Sequence, residues 1–202
     1  MAERPIEVAA AGRPHPHETV SGDAWQIEWE ANTCRLAVVD GLGHGPEAAT
    51  AAQTALTALA TRRGGTLIEA LHTCDVALRH TRGAAVTVVE VDVAKGALSL
   101  LGVGNVEARL VTPERERRLS PRRGIVGQVM PRLVVEEMEL PAEWLLIMHS
   151  DGISERFDLS EALAGSSELS AVTQTVLHRW SRPSDDALIV ALRPDGTRPG
   201  SE

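Results

Sequence analysis

Tyrosine is absent from this 202-residue chain, phenylalanine occurs once and tryptophan four times. A core must therefore rest on Leu, Val, Ile and Ala. Cysteine is almost as scarce: Cys34 and Cys74 stand alone, with no metal-like spacing, which argues against a disulfide framework or a zinc site. Both read as small buried hydrophobes in a reducing compartment. Net basic charge is missing too. The formal charge is −8, and binding to phosphate backbones or anionic membranes needs basic surface. Neither nucleic acid nor membrane is expected as a partner. No apolar run approaches membrane-spanning length, and residues 1–20 lack the basic start and apolar stretch of a signal peptide. A cytoplasmic protein is expected.

What is present is an ordinary globular composition, 43% hydrophobic and 24% charged, in a length that suits one domain with a sizeable core. Residues 1–193 read as a single domain and residues 194–202 as a disordered tail. The chain is organised around residues 35–49, RLAVVDGLGHGPEAA. Leu36-Ala37-Val38-Val39 reads as a short buried strand. It ends in Asp40, followed by three glycines in five residues, a tight bend that a ligand can approach closely. Pro46 suits the first position of a helix, so free amides at that helix start would face whatever Asp40 holds. A carboxylate at a strand end beside a glycine turn suits a metal ion; a capping aspartate at a plain strand–turn–helix junction is the equal alternative for this segment.

Around it the periodicities assign the remaining elements. An edge strand is expected at residues 6–10, and His15-Pro16-His17 reads as a solvated loop in preference to metal ligands. Trp25, Ile27 and Trp29 alternate with polar residues, which marks a half-buried strand. Residues 34–39 return as its hairpin partner, leaving Asp23 and Asp40 at the same end. Residues 46–63 read as a helix with Ala48, Ala52, Ala55, Leu56 and Leu59 inward. Residues 66–82 read as a second, with Leu67, Ala70, Leu71, Cys74 and Leu78 inward. Residues 84–93 and 97–103 form a hairpin, Gly102-Val103-Gly104-Asn105 a turn, residues 106–111 a strand and residues 113–118 a charged turn. Arg115, Arg117, Arg118, Arg122 and Arg123 form a basic cluster that reads as a solvated hairpin tip ahead of a phosphoprotein contact. A strand at residues 133–140 and a buried one at 144–148 follow. Two helices at 159–163 and 169–180 and a last buried strand at 187–192 complete the order.

Carboxylates therefore stand at four strand ends: Asp23, Asp40, Asp151 and the pair Asp185-Asp186. Asp40 and Asp151 follow their strands, whereas Asp23 and Asp185 precede theirs. Antiparallel neighbours bring one strand's end beside another's beginning, so all four positions can meet at one edge of the core. Gathered carboxylates repel and need cations. Oxygen ligands without cysteine or paired histidine favour Mg²⁺ or Mn²⁺. Two such ions about 3.5–4 Å apart can activate a water and clamp a phosphoryl group.

Ser21-Gly22-Asp23, Asp40-Gly41-x-Gly43-His44-Gly45, Ser150-Asp151-Gly152 and Asp185-Asp186 occur in the order and approximate spacing of PPM/SpoIIE-type metal-dependent serine/threonine phosphatases. The chain resembles that family over about residues 6–193. The wording DGLGHGPEAA, and GVGNVEARL followed by GIVGQ, is similar to RsbX-like stressosome feedback phosphatases. The resemblance implies an α+β, four-layer αββα sandwich of two antiparallel sheets flanked by helices. It also implies two divalent cations, Mn²⁺ or Mg²⁺, and direct attack of a metal-bound hydroxide on a phosphoserine or phosphothreonine. Carried over by motif, Asp40 bridges both ions, the Gly41 carbonyl binds one, Asp151 and Asp185 complete the shell, and Asp186 is the second choice there. Asp23 contacts a metal-bound water, and His44 serves either the loop structure or protonation of the leaving group. The implied partner is a phosphorylated STAS-domain protein of a stress-signalling complex, acted on by a monomer as negative feedback. Leu188 departs from the family's Asp-Asp-x-Thr ending, and with no sensor or switch helices in view, regulation through a fused domain is not expected. Two rival readings are a GHKL-type ATPase or anti-sigma kinase, which needs a helix upstream of Asp40, and a non-catalytic binding module of the same fold.

Overall fold

The computed structural model describes residues 6–61 and 64–196. Its elements, numbered in chain order, are β1 (Ile6–Arg13), β2 (Asp23–Glu30), β3 (Thr33–Gly41), α1 (Pro46–Ala60), α2 (Leu67–Leu78), β4 (Ala84–Asp92) and β5 (Ala97–Val103). They continue with β6 (Glu107–Val111), β7 (Glu116–Leu119), β8 (Glu136–Glu139), β9 (Leu145–His149), α3 (Leu159–Ala164), α4 (Leu169–Trp180) and β10 (Ala187–Pro194). One antiparallel sheet runs β1-β10-β9-β6-β7 and the other β2-β3-β4-β5-β8.

Alternation along the strands explains the layering. Leu36 and Val38 of β3 point into one cluster with Val89, Leu98, Leu146, Met148 and Val190, which is the seam between the sheets. Ala37 and Val39 point the other way, into a cluster with Ala52, Leu56, Leu59, Leu71 and Leu78 of α1 and α2. On the opposite side Ile147, Ile189 and Ala191 meet Leu169, Val172 and Val176 of α4. Central strands are thus buried on both faces and read as unbroken apolar runs. Three apolar interfaces make four layers, as the αββα expectation required.

Details differ from the sequence expectations. The second helix stops at Leu78 because the Thr81 amide and hydroxyl both donate to the Leu78 carbonyl, at 2.9 and 2.8 Å, and Gly83 then turns with φ 80°. The expected charged turn at 113–118 is shorter. It closes when the Thr112 amide donates to the Arg115 carbonyl at 2.9 Å, and buried Leu119 anchors Arg117 and Arg118 as strand β7. The strand expected at 133–140 contracts to β8. Pro194 closes β10, while Arg62, Arg63 and residues 197–202 lie outside the described residues. Upstream of Asp40 the described chain forms strands β1 to β3, not the helix a GHKL-type kinase needs. No helix among the described residues is long and apolar enough to cross a membrane.

Candidate active site

The hairpin of β2 and β3 sets Asp23 opposite Asp40. In the other sheet, β9 pairs with β10 so that His149 faces Ile189, and one step further Ser150 faces Leu188. There the Ser150 amide donates to the Leu188 carbonyl at 3.0 Å, and the Leu188 amide donates to Ser150 Oγ at 3.0 Å. Ser150 Oγ in turn donates to Asp23 Oδ2 at 2.6 Å. One buried hydroxyl therefore ties the first strand of one sheet to the central pair of the other. Ser150→Ala is expected to strand the Leu188 amide and remove a donor from Asp23, at a cost of about 1–3 kcal/mol. Thermal melting checks the loss; a melting temperature equal to that of the parent would show that the joint carries no stability.

Glycines let the backbones close around the aspartates. A methyl group at Gly41 would lie 2.2 Å from the Ala48 carbonyl oxygen, and one at Gly152 would lie 1.7 Å from the Asp186 carbonyl oxygen. Such contacts would force backbone apart, so both Asp-Gly pairs are steric requirements. At Gly22 a methyl group would meet the Asp186 Oδ2 at 2.9 Å and the Gly41 carbonyl oxygen at 3.4 Å. Two oxygens thus border one small cradle that only glycine leaves open.

Electrostatics show that these carboxylates share a field. The Asp23 carboxyl is pushed up to about 7, chiefly by burial; the Ser150 hydrogen bond opposes the shift, and the charges of Asp186, Asp151 and Asp185 add to it. Asp40 is raised well above its ordinary value by burial and then by Asp23, Asp151, Asp185 and Asp186. Asp185 is raised by burial and next by Asp151. Asp186 is 3% exposed. Its Oδ1 accepts from the His15 amide at 2.8 Å, whereas its Oδ2 is buried without a hydrogen-bond partner. All five aspartates named from the sequence are therefore neighbours. Among the described residues no three acidic, histidine or cysteine side chains form a ready-made cation cage. The donor set nevertheless fits divalent cations: an orphaned carboxylate oxygen, a carbonyl beside it, and desolvated like charges that only positive charge relieves.

Several participants escaped the sequence reading. Asn105, expected in a plain turn, donates from Nδ2 to Asp151 Oδ2 at 2.7 Å. The strand-end rule could have found it, because β6 and β9 are antiparallel with Glu107 opposite His149, which continues to Asn105 opposite Asp151. The 14–18 loop is more than solvated. His15 bonds Asp186 and its ring stacks on His44 with centroids 4.3 Å apart and 12° between planes; Pro16 and His17 are exposed. His44 Nδ1 lies 2.8 Å from Glu18 Oε1, and no side chain caps α1 at Gly45. Behind Asp151, buried Arg109 places its guanidinium 3.9 Å over the Phe157 ring and donates to the Glu155 and Phe157 carbonyls. His149 is fully buried, and burial pushes it down to about 4; its Nδ1 donates to the Ser150 carbonyl at 2.9 Å. Leu188, where the family ending has threonine, sends its side chain into the seam between the sheets and serves the site through its backbone alone.

Two helix-flanked antiparallel sheets with aspartates collected where their strand ends meet form the architecture of a PPM-type phosphatase domain. Residues 30–195 match the family of Stage II sporulation protein E (SpoIIE), and the chain belongs to that family of PPM-type protein serine/threonine phosphatases. The family generally uses divalent metal ions. A chain from a structure of the bacterial stressosome, described as a modular system adapted to control secondary messenger signaling, superposes with TM-score 0.88 and 28% identity. That match covers 93% of this chain and 99% of that one. RsbX in complex with magnesium matches with TM-score 0.84 and 17% identity over 94% of this chain and 96% of its own. The phosphatase domain of Bacillus subtilis SpoIIE with a regulatory-domain fragment matches at 0.78 and 21%, over 93% and 63%. No curated protein sequence matches the chain.

Proposed function

We propose that this chain hydrolyses phosphoserine or phosphothreonine on a STAS-domain protein of a stressosome-type signalling complex, as negative feedback. The observation that carries the reading is the orphaned Asp186 Oδ2 beside the Gly41 carbonyl, in the field of Asp23, Asp40, Asp151 and Asp185. The substrate class is supported by the likeness to the stressosome chain and to RsbX. The same likeness supports a cytoplasmic setting; a monomer remains the working expectation for the assembly.

Asp40, the Gly41 carbonyl, Asp151, Asp185 and Asp186 would hold two divalent cations, Mn²⁺ or Mg²⁺. When bound, such ions neutralise the carboxylates, activate water as a nucleophile and stabilise charge on the phosphoryl oxygens. Asp23, held by Ser150 Oγ at 2.6 Å, orients water through its other carboxylate oxygen. Asn105 fixes the rotamer of Asp151 by donating to Oδ2. Glu18 accepts from Nδ1 of His44 and so orients the ring; as the imidazolium, His44 would carry on Nε2 the proton for a leaving oxygen. A thiolate route has no nucleophile: Cys34 and Cys74 are buried, and burial pushes the Cys74 thiol up to about 12.

Phosphate release from a phosphoserine peptide is expected with Mn²⁺ or Mg²⁺ and is expected to stop on addition of chelator. Release that persists in chelator, or none with either ion, would remove the assignment.

A further inference from the structure

The five clustered arginines of the sequence are divided by the fold. Arg115 closes the turn at the far end of β6, about 20 Å of strand away from Asn105 at 3.3 Å per residue. Arg117 reaches Glu136 of β8 at 3.5 Å, and Arg118 donates to the Glu155 carbonyl at 3.1 Å. These three are remote from the acidic centre or already engaged. Arg122 and Arg123 differ on both counts. After β7 the chain runs back along β6 toward Asn105. There the Arg122 amide donates to the Gly102 carbonyl at 3.0 Å, and the Gly104 amide donates to the Arg122 carbonyl at 2.9 Å. The next residue after Gly104 is Asn105, which holds Asp151.

Both arginines are exposed, and among the described residues neither forms a side-chain hydrogen bond or ion pair. Their loop is packed at its base: a methyl group at Gly102 would lie 2.7 Å from Pro121 Cβ, and one at Gly124 would lie 2.7 Å from the Val129 carbonyl oxygen. A close-packed loop presents two unpaired cations, its backbone bonded to the Gly104 amide next to the Asn105 that holds Asp151, in a chain of net charge −8. Screening makes proximity decisive. With a Debye length of about 8 Å at physiological salt, distant acidic residues of the surface fade, while charges at the rim of the pocket act on whatever enters it.

We propose that Arg122 and Arg123 form an anion-guiding rim that makes this phosphatase select phosphoserine segments flanked by acidic residues. The inference rests on the phosphatase reading above and names the substrate feature that the site recognises. With the pocket's own carboxylates neutralised by bound cations, a phosphoserine segment with Asp or Glu beside it presents its remaining acidic groups to the rim. Two guanidiniums at the rim supply planar, paired donors for such groups.

The test compares two phosphoserine peptides of equal length, one flanked by glutamates and one by glutamines. For the parent protein, kcat/KM is expected to favour the acidic peptide by about tenfold at low salt, with the preference fading as salt rises. The double variant Arg122→Gln/Arg123→Gln is expected to bring the ratio near one, and Arg122→Glu/Arg123→Glu to invert it. Lys95→Gln, in the β4–β5 turn, is the surface-charge control and keeps the parental ratio. Misfolding lowers both peptides together and leaves their ratio, so melting curves are run alongside. A parental ratio of one, or a ratio unmoved in the double variants, overturns the inference while hydrolysis of p-nitrophenyl phosphate keeps the phosphatase reading. Absence of hydrolysis with every substrate overturns both.

Discussion

Asp40→Asn is expected to abolish phosphoserine hydrolysis while making the protein more stable in chelator. The two effects share one cause. Asp40 lies in the combined field of Asp23, Asp151, Asp185 and Asp186 and is largely desolvated, so its ionised form is disfavoured. Asparagine keeps the shape and removes one of the repelling charges. Relief is read as a higher melting temperature, about 2–4 °C for each kcal/mol in a domain of this size. The same change removes a cation ligand, and turnover should fall on the order of a hundredfold or more. The pH dependence follows with its sign. Asp23 has a folded value of about 7 against an ordinary 3.8, so the folded state holds a proton that the unfolded chain has released between those values. Stability in chelator is therefore greatest on the acidic side and declines as pH rises through that window. Divalent cations should restore it at pH 8, and Asp40→Asn should flatten the slope. Melting curves that are flat from pH 4 to pH 8 in the parent, or a variant less stable than the parent, would show that these carboxylates do not feel one another.

Gly152→Ala is expected to damage fold and site together. The added methyl would sit 1.7 Å from the carbonyl oxygen of Asp186, and the obstruction is backbone at the start of β10, which cannot rotate away. The Gly152 carbonyl also accepts from the Arg182 amide at 2.7 Å, so a shift at one point moves the Asp185-Asp186 loop at another. A loss of about 3 kcal/mol or more is expected, in the range reserved for overpacking against immovable neighbours. Gly165→Ala makes the comparison: at that helix end a methyl meets nothing closer than 3.9 Å, and φ is −80°. Chemical denaturation of both variants checks the contrast. Equal stabilities would mean that the loop before β10 yields without strain.

Much of this site could be read from order alone. Asp23 and Asp40 were placed together because a hairpin of alternating and apolar strands leaves them no choice, and the register confirms them as direct partners. The inward face of α2 was legible as Leu67, Ala70, Leu71, Cys74 and Leu78, all buried, since a 3.6-residue period maps directly onto one stripe. Asn105 and His15 were not legible in the same way. A glycine-rich turn and a proline-punctuated loop carry no periodicity, and their partners lie 46 and 171 residues away. The arginine cluster was visible as composition, but one stretch of sequence cannot say which members are paired and which stand free.

By itself, then, the sequence determined the strand and helix segments and the presence of an acid at four strand ends, because burial patterns and turn chemistry are local properties of the chain; the four layers followed from the family resemblance. Only the tertiary structure decided which acids meet across the two sheets, which oxygen is left without a partner and which basic side chains stand free. Those depend on how two sheets stack across a shared core. The Ser150–Asp23 bond spans 127 residues, and no local rule of strand or helix carries information over that distance.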